Sequence, residues 1–452
     1  MFSKEFYYGA STAGFQVEMG SGQAIDKNTD WYVWTKDQLN VQHGLVSGDD
    51  PEKGCNYWLN FKAFHELAEN AGMNMLRIGV EWSRIFPQAT FNCDSPEDLE
   101  KVADLEALEH YREIMKDIKD RKITLMVNLN HFTLPLWLHD PIKLNRERDF
   151  SAPGWLDEKV IKEFEKYAGF MASKIDDLVD YWSTENEPNV VAMPYNSIQM
   201  GFPPALMSPE YQEKALKNEM LAHRAGYDAI KQHSEKPVGC IYALGWPTGD
   251  ENAVEMMINS ELSRYLDQVK DKMDFLGVNY YSRLKVAMDE TGNPHVLPDY
   301  GQGCKPNSQS ADGRITSDFG WEYYPEGLYN VLKYVHKRYS IPLFVTENGT
   351  ADAADGNRQT YLVSHMNMVE RLIEDGIDIK GYLHWSLVDN FEWASGYSMR
   401  FGLVTVDFEN KNFIPRGSYF IMKDIIGKKT TKDYEYLLKF PNDIFDEKNL
   451  NK

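Results

Sequence analysis

No stretch of about 18 apolar residues, the length needed to cross a bilayer, occurs in this 452-residue chain. Cysteine is scarce. Cys55, Cys93, Cys240 and Cys304 lie far apart with no CxxC pair, which disfavours a disulfide framework and a thiolate zinc site and favours free thiols. HExxH is absent, and no cysteine or second carboxylate completes a metal set around His131 and His139. GxSxG and the Walker A motif are missing, which argues against a serine hydrolase of that type and a P-loop nucleotide enzyme. Positive charge is in deficit: 48 basic against 69 acidic residues give a net charge of −21, which repels phosphate backbones and makes nucleic acid a poor partner. The N-terminus, MFSKEFYYGA, lacks a charged segment followed by an apolar run, so the expected location is cytoplasmic, with no membrane association.

Hydrophobic residues make up 42% of the chain and aromatics 13%, enough for a large core rather than a disordered polymer. Eight short apolar runs recur along it, at 6–11, 73–80, 122–130, 178–186, 237–244, 273–281, 342–348 and 379–387. They are near-continuously apolar, as parallel strands covered on both faces should be. Helical periodicity lies between them, at 57–71, 98–120, 158–175, 210–233, 328–339 and 360–374. This alternation predicts an α/β fold, a (β/α)8 TIM barrel in a single domain over residues 1–452. A doubly wound sheet is the alternative, but GASTAGF after the first run is not GxGxxG. Segments 19–56, 281–320 and 386–420 read as long loops on the active face, and 423–440 as a final helix folding back.

In such a barrel the chemistry gathers at the C-terminal ends of the strands. Those ends are dense in polar groups: Gln16; Arg77, Glu81 and Arg84; Asn128, Asn130 and His131; Glu185, Asn186 and Glu187; Asn279 and Tyr281; Glu347 and Asn348; and His384, Trp385, Asp389, Glu392 and Trp393. Two carboxylates stand out, Glu187 in WSTENEP and Glu347 in VTENG. Glycosidic hydrolysis needs two such groups across a sugar ring. Taken alone, each is equally well read as a salt-bridged strand cap, with Arg77 a natural ion partner for one. Trp137, Trp182, Trp321, Trp385 and Trp393 are expected around them, an indole wall suited to the apolar face of a pyranose.

With these residues in view, the chain resembles glycoside hydrolase family 1, on its archaeal β-glycosidase branch of β-galactosidase and β-glucosidase type. The motifs are GASTAGFQVEMG, NTDWYVW, GVEWSRIFP, NLNHFTLP, STENEPN, LGVNYYSR, FVTENG and HWSLVDNFEWASGYSMRFGLVTVD, covering residues 6 to 408. The resemblance implies a retaining β-glycosidase that needs no cofactor and no metal. Glu347 matches the nucleophile, Glu187 the acid/base, and Asn186 the partner of the sugar 2-OH. Arg77 and Tyr281 match the groups that hold the nucleophile, with Asn279 beside them. Gln16, His131, Trp385, Glu392 and Trp393 match the glycone-binding subsite, and Phe401 the aromatic near the sugar's 6-position. A retaining pair is expected about 5 Å apart. The expected partners are neutral β-glycosides or β-linked oligosaccharides, with a homodimer or homotetramer as the assembly. Rival readings are a 6-phospho-β-glycosidase, which Glu392 argues against by repelling a phosphate, and a non-catalytic sugar-binding protein, which has no use for two glutamates in TENEP and TENG. NHFTLP departs from the HWDLP of bacterial and plant members but leaves His131 in register.

Overall fold

The computed structural model describes residues 1–439 and Leu450. Eight parallel strands close into a barrel: β1 (Tyr7–Ser11), β2 (Met75–Gly79), β3 (Thr124–Asn130), β4 (Tyr181–Asn186), β5 (Val238–Ala243), β6 (Phe275–Asn279), β7 (Leu343–Glu347) and β8 (Ile379–His384). Each strand pairs with its sequence neighbours, and β8 pairs with β1 to complete the ring. Helices return the chain between strands: α1 (Tyr57–Asn70), α2 (Leu105–Asp120), α3 (Lys159–Ile175), α4 (Pro209–Lys231), α5 (Arg264–Val269), α6 (Pro325–Tyr339) and α7 (Arg358–Glu374), with α8 (Gly417–Lys428) after the last strand. Their apolar stripes pack on the outside of the barrel in one continuous core. Among the described residues no helix is long and apolar enough to cross a membrane.

Every strand contributes one side chain to a plug inside the barrel: Tyr7, Met75, Met126, Tyr181, Ile241, Phe275, Phe344 and Leu383. Side chains alternate faces along a strand, so residues two or four places further on also point inward. That parity lifts Arg77, Asn128, Ser183, Asn279 and Thr346 above the plug, toward the C-terminal end. The polar floor of the site is therefore the next layer of the same inward-facing rows.

The structure corrects several boundaries. The helix expected over 98–120 is two helices, Pro96–Val102 and α2. Ala103 is extended, and the Asp104 carboxylate accepts the Ala107 N–H at 2.9 Å, starting the second helix afresh. The three segments read as loops carry small elements of their own, including the Asp30–Lys36 helix, two strands, Leu284–Met288 and Pro294–Val296, that form a small sheet with Pro247–Gly249 from outside these segments, and a hairpin of Val404–Asp407 with Asn412–Pro415. The terminal helix expected over 423–440 instead ends with α8 at Lys428. Lys429 turns into the left-handed region at φ 58°, and a separate 3-10 stretch follows at Lys432–Lys439. Phe440 lies outside the described residues.

Candidate active site

Arg77 is fully buried in the middle of β2, and its guanidinium organises the floor. It donates to Glu347 Oε1 at 2.5 Å, to Asn186 Oδ1 at 3.3 Å, and faces His131 Nδ1 at 3.3 Å. Tyr281 donates its hydroxyl to the other Glu347 oxygen at 2.6 Å. Glu347 thus accepts at both oxygens, as an ionised carboxylate does. Strict alternation from Phe344 and Thr346 would turn Glu347 outward. A register shift against β6 between Val345 and Glu347 brings it in, opposite Asn279.

The other glutamate arrives by a similar departure from regularity. Tyr181 and Ser183 point inward on β4, but the pairing with β5 shifts between Ser183 and Asn186. Asn186 then faces the site. Glu185 leaves it and accepts the Tyr265 hydroxyl at 3.1 Å behind the strand. Glu187 follows at φ 53°, ψ 56°, at the start of the short helix Pro188–Ala192. Asn279 joins these pieces: its amide donates to Glu187 Oε1 at 2.7 Å and to Asn186 Oδ1 at 3.0 Å, and its oxygen accepts from Thr346 at 2.7 Å.

The two carboxyls are electrostatically unlike. Burial, with the charge of Glu347 adding to it, pushes Glu187 up to about 8. Near neutrality it carries a proton beside a carboxylate held by Arg77 and Tyr281. Burial and the Arg77 charge hold His131 well below its ordinary value, so the imidazole is neutral. Its Nε2 lies 3.1 Å from the Asn186 amide. Burial, and then Glu347, raise the Tyr281 phenol well above its ordinary value, which leaves the proton on tyrosine.

Gln16, Glu392 and the indoles form the adjoining wall. The Gln16 amide donates to Asn390 Oδ1 at 3.1 Å, to the Phe391 carbonyl at 2.9 Å and to Glu392 Oε2 at 3.1 Å. Its own oxygen is buried without a partner among the described residues, an acceptor in place for a ligand hydroxyl. Burial pushes Glu392 up to about 8, and Glu347 adds to the rise. Trp393 stacks on Phe15 at 5.8 Å and 8°, and lies 5.8 Å from the His131 ring. Trp385 also stacks on His131, at 5.8 Å. Phe401 lies 6.2 Å from Tyr281 and 5.9 Å from Trp321.

All twelve residues to which the family resemblance gives a role lie together at this end of the barrel. The expected indole wall is corrected. Trp321, Trp385 and Trp393 belong to it, whereas Trp137 and Trp182 pack in the outer core. Trp137 donates to the Phe86 carbonyl and Trp182 to Asp176, both away from the carboxylates. Arg84 pairs with Glu18, and Asp389 with Arg400 and Arg416, so these polar residues hold loops. Sequence reading missed Phe15 and Trp31, which back Trp393, and Phe319 beside Trp321. Their places next to Gln16 and within NTDWYVW were the available signals.

Comparison with known proteins gives the same reading. A β-galactosidase of Saccharolobus solfataricus is 44% identical, with 97% of this chain and 98% of that protein covered. A hyperthermophilic β-glucosidase from Pyrococcus furiosus superposes with a TM-score of 0.92 at 45% identity, covering 97% of this chain and 99% of that one. The β-glycosidase of Thermosphaera aggregans gives 0.93 at 41% identity, covering 96% and 99%. The model of glycosyl hydrolase family 1 matches residues 1–261 and 248–431, so nearly the whole described barrel carries the family's pattern, and the chain belongs to that family.

Proposed function

We propose that the protein is a retaining β-glycosidase that hydrolyses terminal, non-reducing β-D-glucosides and β-D-galactosides, with residues 1–452 acting as one catalytic unit. The observation that carries this is the split pair of carboxyls: Glu347 accepts from Arg77 and Tyr281, while burial and Glu347 keep the proton on Glu187. Glu187 donates that proton to the glycosidic oxygen as the C1–O bond breaks. Glu347 attacks C1 and forms a glycosyl ester. The ester neutralises Glu347, so Glu187 can then ionise, take a proton from water and direct hydroxide onto C1, releasing Glu347 and a sugar of retained configuration. Asn186, already aligned by Arg77 and Asn279, is assigned the 2-OH, a contact that gains strength as charge develops at C1. Gln16, His131, Glu392, Trp385 and Trp393 are assigned the remaining glycone hydroxyls and ring face, and Phe401 the edge near C6.

Family membership supports the substrate class, and the relatives' names supply glucosides and galactosides. We propose the cytoplasm as the location, which suits the four unpaired cysteines. A homodimer or homotetramer is the proposed assembly, which light scattering tests. The deciding experiment follows the anomeric proton by NMR during turnover of an aryl β-glucoside and an aryl β-galactoside. Early β-sugar from both is expected. Early α-sugar would remove the two-step role of Glu347. Turnover of only the 6-phosphorylated glycoside would overturn the reading of Glu392.

A further inference from the structure

Glu81, just beyond β2, has no part in the chemistry above, yet its buried carboxyl joins two loops of the glycone wall. Its Oε1 accepts the Phe15 N–H at 2.8 Å, and its Oε2 accepts the Thr133 hydroxyl at 2.6 Å. Phe15 precedes Gln16 and stacks beneath Trp393. Thr133 closes the turn that begins at His131. The approach on the first side is close: a Cβ on Gly14 would lie 2.5 Å from Glu81 Oε1 and 2.9 Å from Glu18 Oε1, so only glycine lets the loop settle onto these carboxyls. The turn on the second side is strained. Thr133 N–H bonds back to the His131 carbonyl at 2.9 Å around Phe132 at φ 73°, a γ-turn of the rare positive-φ kind. Such a conformation persists where its surroundings over-determine it. Here Asn130 donates to the Thr133 carbonyl at 2.8 Å, Asp30 accepts the Leu134 N–H at 3.0 Å, and Glu81 takes the hydroxyl.

We infer that Glu81 is a positioning residue for the glycone subsite, setting Gln16 through Phe15 and His131 through Thr133 with one carboxyl. The inference rests on the glycosidase reading. Burial, together with Glu18, pushes Glu81 up to about 8, so a glutamine amide is its nearest neutral mimic. Protonated, Glu81 keeps Oε1 as acceptor for the Phe15 N–H and can turn its O–H onto the Thr133 oxygen, and the glutamine amide reproduces both, its oxygen accepting from Phe15 and its NH2 donating to Thr133.

The test compares kcat/KM on an aryl β-glucoside for the wild type, E81A, E81Q, T133V, H131A and the T133V/H131A double variant, with thermal melts for each. Displacing binding groups by about an ångström costs on the order of 100-fold, so E81A should lose about that much and E81Q should recover most of it. T133V should lose roughly 10-fold, the size of one hydrogen bond. In the H131A background the same change should cost no more than about 2-fold, because its effect passes through His131. Equal losses from T133V in both backgrounds, or wild-type kcat/KM in E81A or T133V, would overturn the inference. If E81A does not fold, the T133V/H131A cycle decides alone. A wild type without aryl glycosidase activity would instead sink the glycosidase reading, so the two failures are distinguishable.

Discussion

Tyr281 donates its hydroxyl to Glu347 at 2.6 Å from the strand end opposite Arg77, and the phenol keeps its proton because burial and that carboxylate raise its pKa well above the ordinary value. Glu347, the proposed nucleophile, is thus held at both oxygens. A hydrogen bond to a charged group contributes about 1.5–3 kcal/mol, so Tyr281→Phe should lower kcat on an aryl β-glucoside by roughly 10- to 100-fold. The ring packing against Trp321 and Phe401 survives the change, so the melting temperature should barely move. A kcat within about 2-fold of wild type would show that Arg77 alone holds Glu347.

Exchange of the two glutamates should separate their roles. Glu347→Gln removes the attacking oxygen and should abolish turnover of an aryl β-glucoside. A near-normal kcat would withdraw the nucleophile assignment. Glu187→Ala should slow glycosides with poor leaving groups far more than activated aryl glycosides, because only the former need a proton to depart. Equal losses on both classes would say that Glu187 is not the general acid.

The strands were legible in the sequence because parallel strands buried on both faces read as unbroken apolar runs. The motifs also placed the candidate site residues at the strand ends. Which face each residue takes was not legible. Period-two counting along β4 sends Glu185 inward, and along β7 it sends Glu347 outward; register shifts reverse both. The γ-turn at Phe132 leaves no trace in composition, which hides the link from Glu81 to His131. Trp137 and Trp182 were misplaced because an indole in the outer core and one in a sugar site are the same residue type with the same local pattern.

The pH profile should report the proton on Glu187. Its carboxyl stands at about 8, pushed up by burial and by Glu347, so kcat/KM for a phenyl β-glucoside should fall as the pH rises through that value. A dinitrophenyl glucoside leaves without protonation, and its alkaline limb should be shallower. What remains of that limb is assigned to Glu392, also at about 8 through burial and Glu347. Identical alkaline limbs for the two substrates would refute the assignment to Glu187.

Behind β4 the outward face carries a second pair of carboxyls, outside the candidate site. Glu185 and Glu219 are both buried; among the described residues, one oxygen of Glu185 and both of Glu219 have no hydrogen-bond partner. Burial raises both well above the carboxylate range, and Glu185 adds to the rise at Glu219. Tyr265 from α5, Cys240 from β5 and Tyr242 enclose them, and burial raises all three as well, so no cation among these offsets the pair. The sign follows from proton counting. Between the ordinary carboxylate pKa and the raised folded one, the folded state binds more protons than the unfolded state, so stability falls as the pH rises. Replacing Glu219 with methionine, of similar volume, removes one of these groups. The gain should be about 1–4 kcal/mol at pH 9, the range seen when buried charges give way to apolar side chains, and should shrink toward pH 5. Chemical denaturation at the two pH values checks it. A Glu219→Met variant destabilised equally at both would mean that the pair is fully hydrogen-bonded and its protons are not linked to folding.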